Sequence, residues 1–514
     1  MFESAELGHK IDDVHYKKGV KELRQELLNA QFELLDAKKF PVLVLVNGVD
    51  GAGKSETVNV FNEWLDPRHV RSRAFGEPTE DERKRPPMWR FWQTLPPKGK
   101  IGIFFGSWYS DPIHRCVFGG MKEGGLGKSI DAIRDFERLL IDDGTLLVKL
   151  WFHLSKKAQG KRLEELQANK LTRWRVTKDD WKNHKRYDDY ARVNERLLRD
   201  TSTGEAPWVV IDGSDANYRA LTAGKTLLSA LRGRLAKLDV EKPATKKVSG
   251  SAKKASGNTN GAKSNANGHS ALLSSVDTAG ILRDLPFTER LSKEKYETKI
   301  VKVQGRLAKL SRSPKMKKHG VAIVFEGMDA AGKGGAIRRI TGALDARQYN
   351  VIPIAAPTDE ERAQPYLWRF WRHIPRQGQF VVYDRSWYGR VLVERVEGFA
   401  TEEAWTRAYR EINDFEEQLA EYGVVVVKLW LAVTKDEQMK RFKEREKTPY
   451  KQFKITDEDW RNRKKWDDYV VAASDMIDRT STSNAPWTVI EANDKHLARV
   501  RVIETVSKRL EETF

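Results

Sequence analysis

Four short runs of apolar, largely β-branched residues occur in each half of the chain. Val42–Val46, Ile101–Phe105, Leu146–Phe152 and Trp208–Ile211 are answered by Val321–Phe325, Phe380–Tyr383, Val424–Leu431 and Trp487–Ile490. Their hydrophobicity is nearly continuous, as expected of strands buried on both faces of a parallel sheet. Between them lie stretches with helical spacing, among them Glu402–Glu421 and Asp457–Thr480. Each half also opens on a charged leader that reads as helix, Tyr16–Lys39 and Glu289–Arg312. Strand and helix in alternation predict an α/β fold, a parallel sheet flanked by helices, built twice.

The halves are copies in register. Asp50-Gly-Ala-Gly-Lys54 falls on Asp329-Ala-Ala-Gly-Lys333, 279 positions on. The same offset carries Trp89-Arg-Phe-Trp92 onto Trp368-Arg-Phe-Trp371, Ser107-Trp-Tyr109 onto Ser386-Trp-Tyr388, and Asp188-Asp-Tyr190 onto Asp467-Asp-Tyr469. A constant offset predicts tandem domains of one fold, 1–235 and 279–514. Twelve of the 16 tryptophans form six matched pairs. A role in base stacking competes with a role in packing, and their retention in both copies favours packing.

Composition narrows the setting. The one cysteine excludes a disulfide framework and suits a reducing compartment. No segment approaches the apolar length of a membrane span, and the start Met1-Phe-Glu-Ser-Ala-Glu does not read as a secretory signal, so the expected location is the cytoplasm. Residues 236–278, rich in Gly, Ser, Asn and Lys, predict a flexible linker. Within it, the stretch 236–270 holds seven lysines against Asp239 and Glu241, +5 of the net charge of +19, leaving +14 on the rest of the chain. A charge of that size suits either a solubilising surface or a polyanionic ligand.

The chemistry favours the polyanion. Gly48-Val-Asp-Gly-Ala-Gly53-Lys54-Ser55 directly follows an apolar run and has the frame of a phosphate-binding loop, the Walker A pattern. Its glycines let backbone N–H groups converge on phosphate, and its lysine reaches the outer oxygens. Gly327-Met-Asp-Ala-Ala-Gly332-Lys333-Gly334 keeps the frame without the hydroxyl. The next strand separates the copies. In the second, Val381-Val-Tyr-Asp384-Arg385 ends on an Asp placed like a Walker B carboxylate, and Arg385 and Arg390 suit neutralisation of a transferring phosphoryl group. At the same offset the first copy has Phe105, Gly106 and Asp111. Cys116, Asn59 and Leu166 likewise stand opposite Arg395, Arg338 and Arg445. The second copy is therefore expected to be catalytic and the first degenerate, with Asp50, Lys54, Arg90 and Lys149 still suited to hold a phosphate. The basic stretch from Gln438 through Arg441, Arg445, Lys447 and Lys451 to Lys454 reads as a lid that closes over phosphates and excludes water.

Phe325-Glu-Gly-Met-Asp-Ala-Ala-Gly-Lys-Gly334, Pro365-Tyr-Leu-Trp-Arg-Phe-Trp371 and Tyr383-Asp-Arg-Ser-Trp-Tyr-Gly-Arg390 resemble the polyphosphate kinase 2 family, as do Val391–Arg395, Val427–Leu431 and Ile455–Trp460. The resemblance covers the second copy and, in degraded form, the first. It implies a P-loop kinase core similar to thymidylate kinase, dependence on Mg²⁺ (with Mn²⁺ as substitute), and assembly into homo-oligomers. The two-domain arrangement resembles members that phosphorylate AMP from inorganic polyphosphate, giving ADP, whereas single-domain members are more often associated with ADP or GDP. Carried over by position, the resemblance implies catalytic roles for Asp329, Lys333, Asp384, Arg385 and Arg390, with Asp329 and Asp384 acting on the metal. Gly327, Ala331, Gly332, Lys333, Gly334, Arg338, Arg395, Lys428, Arg441, Arg445, Lys447 and Lys454 are expected to bind phosphate, polyphosphate or nucleotide. An ATP-dependent nucleoside monophosphate kinase is the alternative of the same fold, but it leaves the domain charge without a role. A polyphosphate-binding regulator without activity would not need Asp384, Arg385 and Arg390. Nucleic acid and membrane are not expected partners, since the linker lacks interleaved aromatics.

Overall fold

The computed structural model describes residues 1–240, 280–448 and 457–514. The chain forms two compact units. In the first, strands β1 (Val42–Gly48), β2 (Val70–Ala74), β3 (Ile101–Phe105), β4 (Leu146–His153) and β5 (Trp208–Asp212) make a parallel sheet in the order β2-β3-β1-β4-β5. In the second, β6 (Gly320–Gly327), β7 (Tyr349–Pro353), β8 (Phe380–Asp384), β9 (Val424–Ala432) and β10 (Trp487–Glu491) repeat it as β7-β8-β6-β9-β10. The strand that leads into each phosphate loop is central, with neighbours added on both sides. This is the point in a doubly wound sheet where ligands bind beyond the strand ends.

In each half three of the four apolar runs became the central strands, covered on both faces, as all nine residues of β9 are, and the fourth became an edge strand, β5 or β10. The edge strands β2 and β7 gave no such signal. Four of the five residues of β2, Val-Arg-Ser-Arg-Ala, are exposed, and pairing with β3 is what makes it a strand. The leaders are helices, Asp13–Ala37 and Lys293–Ser311, each packed on its unit's last helix (Ala216–Val240 and Lys495–Thr513). The expected single helix over 457–480 is two, Asp457–Lys464 and Trp466–Thr480, because Lys465 leaves the helical path and donates to Val396 O and Glu397. The helix Ala216–Val240 runs five residues into the expected linker, and the rest of that segment lies outside the described residues. Two short matched segments, 80–87 and 357–369, cluster with the opposite unit from their own repeat. Among the described residues, no helix is long and apolar enough to cross a membrane.

Nine of the twelve matched tryptophans are buried, and Trp89, Trp181 and Trp460 are partly exposed. Trp387 packs edge-on against Phe415 and Tyr383, with ring centroids 5.0 and 5.2 Å away, and Trp92, Trp371 and Trp108 are similarly enclosed. Beneath this aromatic layer each sheet buries an ion pair. Lys428 on β9 is 0 % exposed and donates to Glu416 at 2.7 Å, to the Tyr388 hydroxyl at 2.9 Å and to Thr480 O at 2.5 Å. Glu416 also accepts from Trp387 Nε1 at 2.9 Å and from Tyr388 at 2.7 Å. The first unit repeats the arrangement with Lys149, Glu137, Trp108, Tyr109 and Thr201. Lys428, expected on the phosphate path, is therefore a core residue, and so is Lys149. Burial pushes the Lys428 amine down, and Glu416 opposes that shift.

Removing one partner of a fully buried pair strands the other charge, at a cost of about 3–5 kcal/mol. Lys428→Ala should lower stability by about that much in urea denaturation. The double variant Lys428→Met with Glu416→Leu should lose less than Lys428→Ala alone. A cost below about 1 kcal/mol for Lys428→Ala would mean that the pair is not what holds this core together.

Candidate active site

The second unit's loop leaves β6 through Gly327, at φ 137°, where a Cβ would come within 2.4 Å of Leu431 O on the neighbouring strand. Glycine is required by that approach. The loop then runs to Gly332, the left-handed N-cap of the helix Lys333–Thr341. The free N–H groups of that first turn, with the helix dipole behind them, make an anion cradle. Lys333 is folded over the loop, its ammonium donating to Gly327 O at 2.6 Å and Met328 O at 3.3 Å. Burial, reinforced by the nearby Arg385, lowers its affinity for the proton. The Ala331 N–H is spent on Met328 O inside the loop, and Gly334 lies open at the start of the helix.

Pairing of β6 with β8 places Asp384 opposite Phe325, at the same level as the loop entrance. Arg385 follows at φ 66°, a left-handed conformation costly for any side chain, on the order of 1 kcal/mol. From there its guanidinium donates to Asp329 Oδ1 at 3.0 Å. Asp329 Oδ2 accepts from Asn462 at 2.9 Å, and Asn462 in turn accepts from the Tyr469 hydroxyl at 3.2 Å. Loop, strand end and helix 457–464 therefore meet on one aspartate. A cavity opens beside it, lined by Glu326, Asp329, Arg385, Leu392, Asn462, Trp466 and Tyr469. Glu326 is buried at its floor and accepts from Ser386 at 2.8 Å, with burial pushing its carboxyl up.

The expected site residues divide. Asp329, Lys333, Asp384 and Arg385 gather with Gly327, Gly332 and Gly334 around the loop. Arg390 is half-buried and donates to Glu394 at 2.7 Å. Arg338 is exposed on the loop's helix, and Arg445 and Lys447 lie at the far end of the helix Lys435–Glu446. Lys451 and Lys454 lie outside the described residues.

Three other expectations change. Lys428 is in the core, as described. Arg441 is only 3 % exposed, and its donors are committed to Glu437 and to the carbonyls of Ala330, Ala331, Ala492 and Asn493, at 2.6–3.0 Å. It braces the loop from behind instead of meeting a phosphate. Arg395 is committed to Asp475 at 2.8 Å and the Tyr409 hydroxyl at 2.9 Å, stacked over Trp405.

The sequence reading passed over Glu326, Asn462, Gln438 and Tyr469. The offset carried a signal for each. Glu326 stands against Asn47, one more charge present only in the second copy. Asn462, Gln438 and Tyr469 match Asn183, Gln159 and Tyr190, which support the first loop in the same way: Asn183 donates to Asp50 at 3.0 Å and Gln159 to Asp50 O at 3.1 Å.

Known proteins resemble the chain along its whole length. The model of the family described as polyphosphate kinase 2 matches residues 10–238 and again 290–513. A polyphosphate:AMP phosphotransferase of Pseudomonas aeruginosa is 54% identical over 514 residues, covering 100% of this chain and 99% of that protein. Proteins of the same description from Pseudomonas syringae pv. tomato and Acinetobacter johnsonii are 51% identical over 100% of this chain and 38% identical over 95%, covering 99% and 96% of their own lengths. A crystal structure assigned to polyphosphate kinase 2 from Pseudomonas aeruginosa PA01 superposes with a TM-score of 0.87 at 52% identity, over 100% of this chain and 99% of that one.

The raised Glu326 carboxyl makes a signed prediction. The folded chain holds a proton there that the unfolded chain has already released, so stability falls as pH rises from the ordinary glutamate range toward the raised value. Glu326→Gln keeps a partner for Ser386 without the charge. It should melt with the native protein near pH 4 and above it near pH 8, by ~2–4 °C for each kcal/mol relieved. An increment independent of pH would refute the assignment.

Proposed function

The chain belongs to the polyphosphate kinase 2 family, and we propose that it is a polyphosphate:AMP phosphotransferase, carrying the terminal phosphoryl group of inorganic polyphosphate to AMP to give ADP. The observation that carries this reading is a coincidence of scale and site. Relatives so named match the chain end to end, and the phosphate loop with its strand-end Asp384 and Arg385 is complete in one unit alone.

In this reading an oxygen of the AMP phosphate attacks the terminal phosphorus in line. The new P–O bond forms as the bridging P–O bond breaks, and the polymer leaves one unit shorter. Such transfers need little covalent help from the protein, so catalysis is positioning and charge neutralisation. The loop N–H groups seat the donor's terminal phosphates. Lys333 exchanges its two carbonyl partners for phosphate oxygens, and Arg385 and Arg390 offset charge on the equatorial oxygens. Asp329, with both oxygens already held by Arg385 and Asn462, keeps Arg385 aimed across the loop.

Mg²⁺, or Mn²⁺ in its place, fits the donor set. Asp384 is a half-buried carboxylate to which no described side chain donates, and hard oxygen ligands few in number suit an ion that retains most of its water. Asp384 and Asp329 would hold the ion, which when bound would supply positive charge to offset that of the donor phosphates. Arg338, Arg445, Lys447 and Lys454 are the proposed path for the polymer. We place the enzyme in the cytoplasm, consistent with its one cysteine, Cys116, and propose a homo-oligomer on the family resemblance alone.

The test is transfer without ATP: protein, Mg²⁺, long-chain polyphosphate, and AMP, ADP or GDP offered separately. ADP should form from AMP. Asp384→Asn should reduce kcat by at least about 100-fold, and Lys54→Ala should leave it unchanged. Activity that requires ATP as donor would overturn the proposal. Because the net charge is +19 and the donor a polyanion, KM for polyphosphate should also rise by at least about tenfold between roughly 50 and 200 mM salt, while KM for AMP changes little.

A further inference from the structure

The first unit retains its phosphate loop and the supports of that loop, yet nothing in the proposed reaction uses them. Gly48–Ser55 is held by Asn183 and Gln159, with Lys54 folded back on Gly48 O at 2.5 Å, and the loop opens into the helix Lys54–Trp64. In the first turn of that helix stands Glu56, where the second unit has Gly335. Three arginines from three other parts of the unit converge on its carboxylate. Arg175 donates at 2.7 Å, Arg219 lies at 3.8 Å and Arg162 at 4.0 Å. Arg175 belongs to the segment that corresponds to the second unit's lid, and Arg162 and Arg219 lie directly against the loop glycines Gly51 and Gly53.

We infer that Glu56 is an internal anion that closes a second oligophosphate site, built from the first loop, Lys54, Arg162, Arg175 and Arg219. The field of a helix N-terminus and its uncapped N–H groups attracts one anion, and a carboxylate already held there by three guanidinium groups competes with any phosphate that approaches. Arg219 strengthens the case. It is almost fully buried, burial lowers its pKa, and Glu56 is the first opposing influence. It also spans loop and strand end by donating to Gly213 O at 2.8 Å, as Arg441 does to Ala492 O in the second unit. Ala498 stands at the position of Arg219 in the second unit, and there the brace comes from Arg441, the counterpart of Arg162. Moving the brace to Arg219 frees Arg162 to face Glu56. The first unit has thereby kept an anion cradle and supplied its own anion.

The inference assumes that the second unit is the one that binds donor phosphate, and the test separates the two. Tripolyphosphate is titrated by calorimetry into the full chain without nucleotide, comparing native protein, Lys54→Ala, Glu56→Gln, Glu56→Gly, and Glu56→Gln combined with Lys54→Ala. Each Glu56 variant should bind one tripolyphosphate more per chain than native protein, and adding Lys54→Ala should remove the gain. Equal stoichiometry in native protein and both Glu56 variants would overturn the inference. So would a native first site that Lys54→Ala abolishes. Native protein that binds none would count against the second unit's assignment, while the increment on changing Glu56 still decides this one.

Discussion

The buried lysine–glutamate pair is the contact on which the active site's geometry depends. Lys428 lies on β9, Glu416 on the helix Glu402–Glu421, Tyr388 and Trp387 on the turn after β8, and Thr480 at the end of the helix Trp466–Thr480. An ion pair taken out of water is tolerated only with near-complete hydrogen bonding, so these four elements must arrive together. The turn they fix begins at Asp384 and Arg385. A structural pair deep in the sheet thereby aims the two residues assigned to charge handling at its edge. The first unit keeps the pair and has lost the residues it aimed, which identifies the pair's role as architectural.

Backbone strain marks the same division. Two non-glycine residues of the second unit's site, Ala330 and Arg385, have left-handed φ values of 60° and 66°. Their counterparts are Gly51 and Gly106, at 80° and 72°. The conformation is shared, so it is a property of the fold. At the strand end the second unit keeps a guanidinium despite the cost. In the first unit, glycine holds the same path without strain.

Charge follows a third version of the rule. In the second unit the first turn of the loop's helix carries no carboxylate, since Gly335 stands where the first unit has Glu56. In the first unit a carboxylate, Glu56, sits within the anion field, and arginines that would have met phosphate meet it instead. One duplicated scaffold thus carries an open phosphate site and a self-neutralised one, and a few side chains separate them.

The sequence alone determined the fold, the duplication and which copy keeps the charges suited to phosphate chemistry. Strands buried on both faces leave continuous apolar runs, and a constant offset exposes every position where a charge was kept in one copy and lost in the other. It could not assign individual cations. Lys428, Arg441 and Arg395 look like phosphate ligands because a basic residue near a phosphate loop has the same appearance whether it meets a ligand, a buried glutamate or a loop carbonyl. The offset marked Glu326, Asn462 and Tyr469 but not their roles, which come from partners 60, 133 and 7 residues away. Which donor meets which acceptor is set by long-range packing, and only the tertiary structure decided it.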